Sequence, residues 1–384
     1  MALSKRTIFV GLYGLMTMAQ MVTLTVLPLE AFRRLGDAQL VSALYVVVAI
    51  ILLFGRLAVP WLGYRIGRRH VFALGVALHL LSTGLLATGT SAGLIAGLIC
   101  SALAFSTLDI VISHYILDQM PRHELGRFET LRVFIAAGPC TLGPWLGVYM
   151  QQEFASWAPF AAAAAFGLML LAGFLAAGLS DPPRSPLMER APMNPLRYLP
   201  RFFVQPRLRL SWTLAAGRNA WWSMFQVYGP IFVVAAGLGE PLGGLLVSLG
   251  LGTLWLVPLW GWIGRRHGLR RLLFVGYAIS AGLTAGAALL MGMPWPGIVC
   301  LVLAAAATSV IDGAGNSLFM RAVHPYERGE MAAVFGSYRD VAQLVPPAIF
   351  TALLATFELP AVFIAGGGMM LVMAALTRFI PRRF

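Results

Sequence analysis

Charge is what this sequence lacks. Only 11% of its residues are Asp, Glu, Lys or Arg, while 59% are hydrophobic. A soluble domain carries about 25% charged residues, so most of this chain lies in lipid. Acidic residues are the scarcer sign, 15 against 28 basic ones, leaving a net charge of +13. Such a balance raises nucleic acid as a partner. That reading needs a basic patch on a folded aqueous domain, and no segment is polar enough to build one, so nucleic acid is set aside. Cysteine is nearly absent as well. Cys100, Cys140 and Cys300 each sit inside an apolar segment. An odd number without metal-ligand spacing argues against a disulfide framework or a metal site, and the three read as small packing residues. Also missing are Gly-x-Ser-x-Gly, His-Glu-x-x-His and a phosphate-cradling glycine loop. The expectation is therefore no enzyme, no catalytic residue, no metal and no cofactor, and any solute movement would run on gradients rather than ATP.

What the sequence has instead is long apolar runs. A membrane-crossing helix needs about 20 apolar residues. Twelve stretches qualify: 7–29, 39–63, 70–90, 92–119, 127–150, 156–179, 210–236, 242–263, 270–292, 297–322, 333–356 and 360–380. They lack the alternation of a lipid-facing barrel strand, so helices are expected throughout. Met1 to Arg6 is too short for a separate targeting segment, and the first run is longer than a signal peptide's apolar region, so it is expected to be retained. With the N-terminus inside, 22 of the 28 basic residues fall in cytoplasmic segments and only Arg33 and Arg34 on the opposite side. The positive-inside rule then places both termini in the cytoplasm.

The chain also repeats itself. Pro60-Trp61-Leu62-Gly63-Tyr64-Arg65-Ile66-Gly67-Arg68-Arg69 matches Gly261-Trp262-Ile263-Gly264-Arg265-Arg266-His267-Gly268-Leu269-Arg270 at an offset of 201 residues. Two related halves of membrane helices are the plan of a secondary transporter, with a site expected between the halves. The expected organisation is a six-helix bundle over 1–180, a cytoplasmic linker over 181–209 and a second six-helix bundle over 210–384. The linker is rich in proline and arginine, and proline at that density disfavours a long helix. Leu196-Arg197-Tyr198-Leu199 within it would suit the lipid surface, or the whole segment is a solvated connector.

These features resemble the major facilitator superfamily over essentially the whole chain. Its Gly-x-x-x-Asp-Arg-x-Gly-Arg-Arg loop is matched here by Pro60, Tyr64, Arg65, Gly67, Arg68 and Arg69. The leading glycine and the acidic residue are missing, and the second copy has Arg265 at the acidic position. The resemblance implies a gate-latching role for this loop, with Arg65, Arg68, Arg69 and Arg266 as gate candidates. The arginines also suit a purely structural role at the negative end of a helix. Gly143-Pro144-Trp145-Leu146-Gly147 resembles part of the motif of proton-coupled exporters, with Val148 where a further glycine is usual. The same residues fit a kinked helix packing closely through its glycines. Leu27-Pro28-Leu29 weakly resembles another exporter signature, and the exporters' arginine in the fourth span is absent.

Charges inside the spans are the candidates for function. Asp109 and Asp312 occupy matching places in the two halves, each 11 residues from its helix end near Met120 or Val323. At about 1.5 Å per residue that is roughly 16 Å, close to mid-membrane. An ionised carboxylate there costs at least about 2.5–3.5 kcal/mol unless it faces a cavity or a partner. Arg132 and Arg339 are likewise paired, each seven residues before a helix proline. Arg218 lies beside Asn219 in the seventh span. The resemblance implies that Asp109, Arg218 and Asp312 face the substrate path. Two readings compete. In one, Asp109 and Asp312 take up and release protons, and Gln20, Arg218, Asn219, Trp222 and Asn316 contact substrate. In the other, Asp109–Arg132 and Asp312–Arg339 are ion pairs that fix helix register. Asp118 and Asp340 are expected in gate or register pairs with Arg132 and Arg339. His79 and His114 suit a proton path or a hydrogen bond within the bundle. Trp221, Phe225 and Tyr228 form one helical stripe, facing either a cavity or a neighbouring helix.

Together these point to an all-α integral membrane protein of 12 transmembrane helices in two pseudo-symmetric bundles. The expected function is alternating-access transport of a small organic solute across a bacterial inner membrane, as proton-coupled export. The alternatives are a proton symporter or exchanger for an anionic metabolite, or a receptor or scaffold on a transporter fold. The expected partners are a small-molecule substrate, protons and the lipid bilayer, with the protein acting as a monomer.

Overall fold

The computed structural model describes residues 5–119, 125–179, 198–290, 292–314, 316–324 and 328–381, and no strand occurs among them. Among the described residues seventeen α-helices follow in chain order: α1 (Lys5–Leu24), α2 (Val26–Leu35), α3 (Ala38–Ile66), α4 (Arg68–Ala87), α5 (Ser91–Gln119), α6 (Leu125–Glu153), α7 (Ala158–Ala176), α8 (Leu199–Val204), α9 (Pro206–Ala235), α10 (Glu240–Gly252), α11 (Val257–His267), α12 (Leu269–Leu289), α13 (Pro294–Ala314), α14 (Ser317–Ala322), α15 (Arg328–Gly336), α16 (Tyr338–Leu354) and α17 (Pro360–Leu376). Among the described residues, nine helical stretches are long and apolar enough to cross a membrane. Helices also occupy the other three expected positions, as α6, as α9 and as the pair α15 and α16.

Proline sets where the longer helices break. Its ring clashes with the carbonyl four residues back and it has no N–H to offer. Pro28 thus frees the Leu24 carbonyl, where α1 ends, and the chain resumes as α2 after Thr25. Pro258 stands just after a short 3₁₀ turn, Thr253–Leu256, that separates α10 from α11.

The chain divides into two compact units. The first comprises Met1–Gly36 and Val47–Pro192, the second Asp37–Val46 and Met193–Phe384. Helix α3 therefore starts in one unit and continues in the other. Its Ser42 bonds Tyr228 of α9, within the second unit. In the first unit Phe9 and Met16 of α1, Phe72 of α4, Leu108 and Tyr115 of α5 and Phe174 of α7 form a buried core. Phe72 stacks on Phe174 with ring centroids 3.8 Å apart.

Only the end of the expected linker lies among the described residues. Residues 181–197 lie outside the described ones, while 199–209 are largely helical, and the helix at the seventh expected position starts at Pro206. Its two described prolines begin helices instead of preventing them: Pro200 and Pro206 stand in the first turns of α8 and α9, where no intrahelical N–H is needed. Phe202 of α8 is fully buried against Leu208, Phe319 and Met331, so α8 is part of the second unit.

Large apolar side chains point outward on many helices: Phe54 and Leu57 on α3, Leu81 on α4, Leu168 on α7, Val299 on α13 and Leu371 on α17 are all exposed. Apolar surface spread this widely is unlike a water-soluble monomer and fits contact with lipid.

The two copies of the arginine loop share one backbone. Gly67 has φ 87° and ψ 148° before α4, and Gly268 has φ 91° and ψ 140° before α12. A side chain is strained in that region by about 1–3 kcal/mol. Gly67→Ala and Gly268→Ala are each expected to lower the thermal unfolding temperature in detergent by an amount corresponding to that strain. An unchanged transition in both would mean that the loop relaxes freely.

Candidate functional site

In the second unit, one turn of α9 presents Arg218 and Trp222 on the same face, four residues apart. Both reach Asp312 near the end of α13. Arg218 Nε lies 3.2 Å from Asp312 Oδ1, and Trp222 Nε1 donates to Oδ2 at 2.8 Å. The carboxylate is thus held by a cation on one oxygen and a neutral donor on the other. The Arg218 and Asp312 side chains are 11% and 20% exposed, so the pair is buried but not sealed.

Packing fixes Asp312 from behind. A Cβ on Gly313 would fall 2.3 Å from Trp260 Cβ and 3.0 Å from the backbone of Gly261, so α13 runs directly against α11 at this point. Trp260 Nε1 also donates to Ser309 Oγ at 3.0 Å, one turn before Asp312. Helix α13 ends at Ala314, two residues past Asp312. Tyr277 OH of α12 donates to the Leu214 carbonyl at 2.6 Å and anchors α9 one turn before Arg218.

The aromatic stripe turns away from this cluster. Trp221, Phe225 and Tyr228 are fully buried. Trp221 stacks on Phe225 at 5.2 Å and donates to Thr284 Oγ1 at 2.9 Å, and Tyr228 meets Phe350 edge-on at 5.3 Å. Of the two readings, packing is the one realised, because the stripe faces α12 and α16.

Several expected pairings differ. Asp312 pairs with Arg218 rather than Arg339, which is exposed on α16 with its Nε 3.3 Å from Tyr338 OH. Asp109 is half-buried on α5 and, among the described residues, makes no ion pair with Arg132. Arg132 instead lies over the Tyr13 ring of α1 at 4.6 Å, a cation–π contact. Asp118 at the end of α5 pairs with Arg68, not Arg132. The acid missing at position 64 thus has a counterpart on α5. Arg65 sits over Trp61 at 5.1 Å and Arg266 over Trp262 at 5.5 Å, the same contact in both copies of the repeat. Arg69 is exposed, and Asp340 is half-buried in the first turn of α16.

The remaining polar candidates are scattered. Gln20 is half-buried on α1. Asn219 is half-buried on α9, and its carbonyl accepts from Ser223 Oγ at 3.0 Å. Asn316 is exposed between α13 and α14. His79 is buried, and its Nε2 donates to the Ala163 carbonyl at 2.8 Å.

One cluster escaped the sequence reading. Glu30 on α2 is buried, and its Oε1 accepts from Arg33 Nη1 at 2.6 Å and from Gln151 Nε2 of α6, while Oε2 accepts from Arg34 Nε at 2.9 Å. Arg34 also donates to the Gly89 carbonyl in the turn between α4 and α5. The i, i+3, i+4 spacing of Glu30, Arg33 and Arg34 was the available signal. Hydrogen bonds to charged groups contribute about 1.5–3 kcal/mol. Glu30→Ala is therefore expected to lower stability by about that much, read as an earlier unfolding transition in detergent. A transition unmoved from wild type would show the knot to be energetically idle.

Comparison with known proteins follows the fold. None of the curated proteins matches the sequence. Among solved structures the chain is similar to the nucleoside transporter NupG, with 15% identity over 98% of each chain and a TM-score of 0.75. It is similar to the peptide transporter POT in complex with sulfate, with 14% identity over 98% of this chain and 94% of that one and a TM-score of 0.76. It is also similar to a D-xylose-proton symporter, with 14% identity over 98% of this chain and 97% of that one and a TM-score of 0.73. At these identities the likeness is one of fold. The profile of the Major Facilitator Superfamily matches residues 9–342 and 240–383, nearly the whole sequence, and the chain belongs to that superfamily.

Proposed function

We propose that this protein is a proton-coupled secondary transporter of a small organic solute, working by alternating access in a bacterial inner membrane with both termini cytoplasmic. The observation that carries the reading is the Arg218–Asp312–Trp222 cluster, a buried ion pair in apolar helices with partial access to its carboxylate. Intramembrane ionisable residues mark substrate and proton paths by default, because their burial needs a compensating use. Protonation of Asp312 would neutralise the carboxylate and release Arg218, so proton uptake and exposure of a cation become one event. Asp109, the matching acid of the first unit, is the second proton candidate. Gln20, Asn219 and Asn316 are proposed solute contacts. Export is the direction proposed, on the partial exporter motif around Gly143-Pro144. One structural relative is a D-xylose-proton symporter, which is consistent with the coupling.

Arg218 itself favours a second reading, uptake or exchange of an anionic metabolite. A guanidinium has five N–H donors, and Asp312 engages it through Nε. A carboxylate or phosphate on the solute would replace Asp312 as its partner.

The test is proton movement, reported by a pH-sensitive dye inside proteoliposomes, against a panel of neutral, cationic and anionic solutes with an imposed pH gradient. Asp312→Asn is expected to uncouple solute and proton flux, and Asp109→Asn to weaken the coupling. Undiminished gradient-driven transport in both variants removes the aspartates as proton carriers. Stimulation by anionic solutes alone selects the second reading.

A further inference from the structure

A basic cleft lies at the arginine-bearing end of the second unit, where α12 begins and α17 ends. Its volume is about 870 Å³, and His267, Arg270, Arg271 and Arg378 surround it together with Phe274 and Val275. None of its described lining residues is acidic. Among the described residues, Arg270 and Arg271 make no ion pair. Arg271, Phe274, Val275 and Arg378 are exposed. In the matching loop of the first unit, by contrast, Arg68 is neutralised by Asp118, and the equivalent position in the second unit is Leu269. The two copies have kept one backbone and diverged in charge.

The order of side chains along α12 matters. Arg270 and Arg271 stand in its first turn, and Phe274 and Val275 follow one turn deeper, where the helix enters the apolar run. Positive charge therefore sits one helical turn above an exposed apolar wall, the order in which a bilayer stacks its phosphates above its acyl chains. Basic clefts between membrane helices at this level suit anionic phospholipid headgroups, and each Arg near the surface adds to the attraction. A free phosphate would use the arginines but leave the apolar wall without a partner. An aqueous protein partner would have to bury that wall inside the lipid.

We infer that this cleft binds one anionic phospholipid, its phosphate held by Arg270, Arg271 and Arg378 and its first acyl segments lying on Phe274 and Val275. The site is apart from the Arg218–Asp312 cluster and independent of which solute is carried. It also holds for either orientation of the chain, since it needs only the membrane interface.

Native mass spectrometry of the full chain in detergent tests this. Added phosphatidylglycerol is compared with phosphatidylcholine of the same acyl chains. Wild type is expected to retain phosphatidylglycerol in preference, with retention falling as salt rises. The combined change Arg270→Gln, Arg271→Gln, Arg378→Gln is expected to weaken that retention on the order of 100-fold, while lysine at the same three positions keeps most of it. All three are interfacial, and an unchanged unfolding transition will confirm that the variants fold. Equal retention of the two lipids by wild type, or full retention by the glutamine variant, overturns the proposal. So does displacement of the lipid by equimolar glycerol phosphate, which would make the cleft a site for soluble anions. Equal retention of the two lipids by wild type overturns the proposal even where a variant fails to fold.

Discussion

Arg218→Gln is expected to reduce gradient-driven transport to background and to destabilise the second unit by about 3–5 kcal/mol, the usual effect of removing one partner from a buried ion pair. Asp312 would keep only the Trp222 indole as donor, and an ionised carboxylate at that depth is unfavourable by at least about 2.5–3.5 kcal/mol. The double variant Arg218→Gln, Asp312→Asn separates structure from function. Two amides can still bond each other and Trp222, and no charge is left unpaired, so most of the lost stability should return. Gradient-driven transport should not, because no group in the cluster then titrates. The measurements are the unfolding transition in detergent and solute flux in proteoliposomes under an imposed pH gradient. Wild-type flux in the double variant would show that the pair only fixes helix packing, and the proposed coupling site would be lost.

Much of the architecture was legible in the sequence because lipid imposes it. A run of about 20 apolar residues in a bilayer must satisfy its backbone internally, so length and hydropathy give a helix without further information. The repeat was legible because both copies need glycine at the same backbone position, and Gly67 and Gly268 share that conformation. Partner choice was harder. The sequence placed Arg218 and Asp312 in spans, but which arginine meets which acid depends on how α9 packs on α13, which is itself held against α11 by the approach of Gly313 to Trp260. No periodicity encodes that. Repeat symmetry also misled, by suggesting that Asp109 and Asp312 have equivalent partners. Counting back 201 residues from Arg218 reaches Thr17, which offers no cation. The two aspartates are matched in position and unlike in surroundings. The aromatic stripe shows the same limit: its spacing put Trp221, Phe225 and Tyr228 on one face, and only the packing of α12 and α16 showed what that face meets.

Gly147→Ala is expected to remove most of the folded protein, although it adds a single methyl group. The reason is the contact between α6 and α1. A Cβ on Gly147 would stand 1.8 Å from the Val22 carbonyl oxygen, and one on Gly143 would stand 2.8 Å from the Met21 carbonyl carbon. Both obstacles are backbone, so no rotamer change relieves them and the two helices must separate. Overpacking a core ordinarily destabilises by about 1–3 kcal/mol, and a backbone collision of this kind belongs at or beyond the upper end. Lipid makes the loss harder to recover. Helices in a bilayer gain little from leaving solvent, and their association rests on the close packing that small residues permit. The Gly-x-x-x-Gly pair in α6 is therefore a packing device, whatever direction the solute moves. Gly138 supplies the control. It precedes Pro139 in the same helix, yet a Cβ there meets nothing within 4 Å. Gly138→Ala should fold as well as wild type or gain up to about 1 kcal/mol from helix propensity. Size-exclusion yield and thermal unfolding in detergent distinguish the two. A Gly147→Ala protein with wild-type yield and transition would mean that α1 and α6 do not meet this closely. The motif would then have to be explained by transport alone.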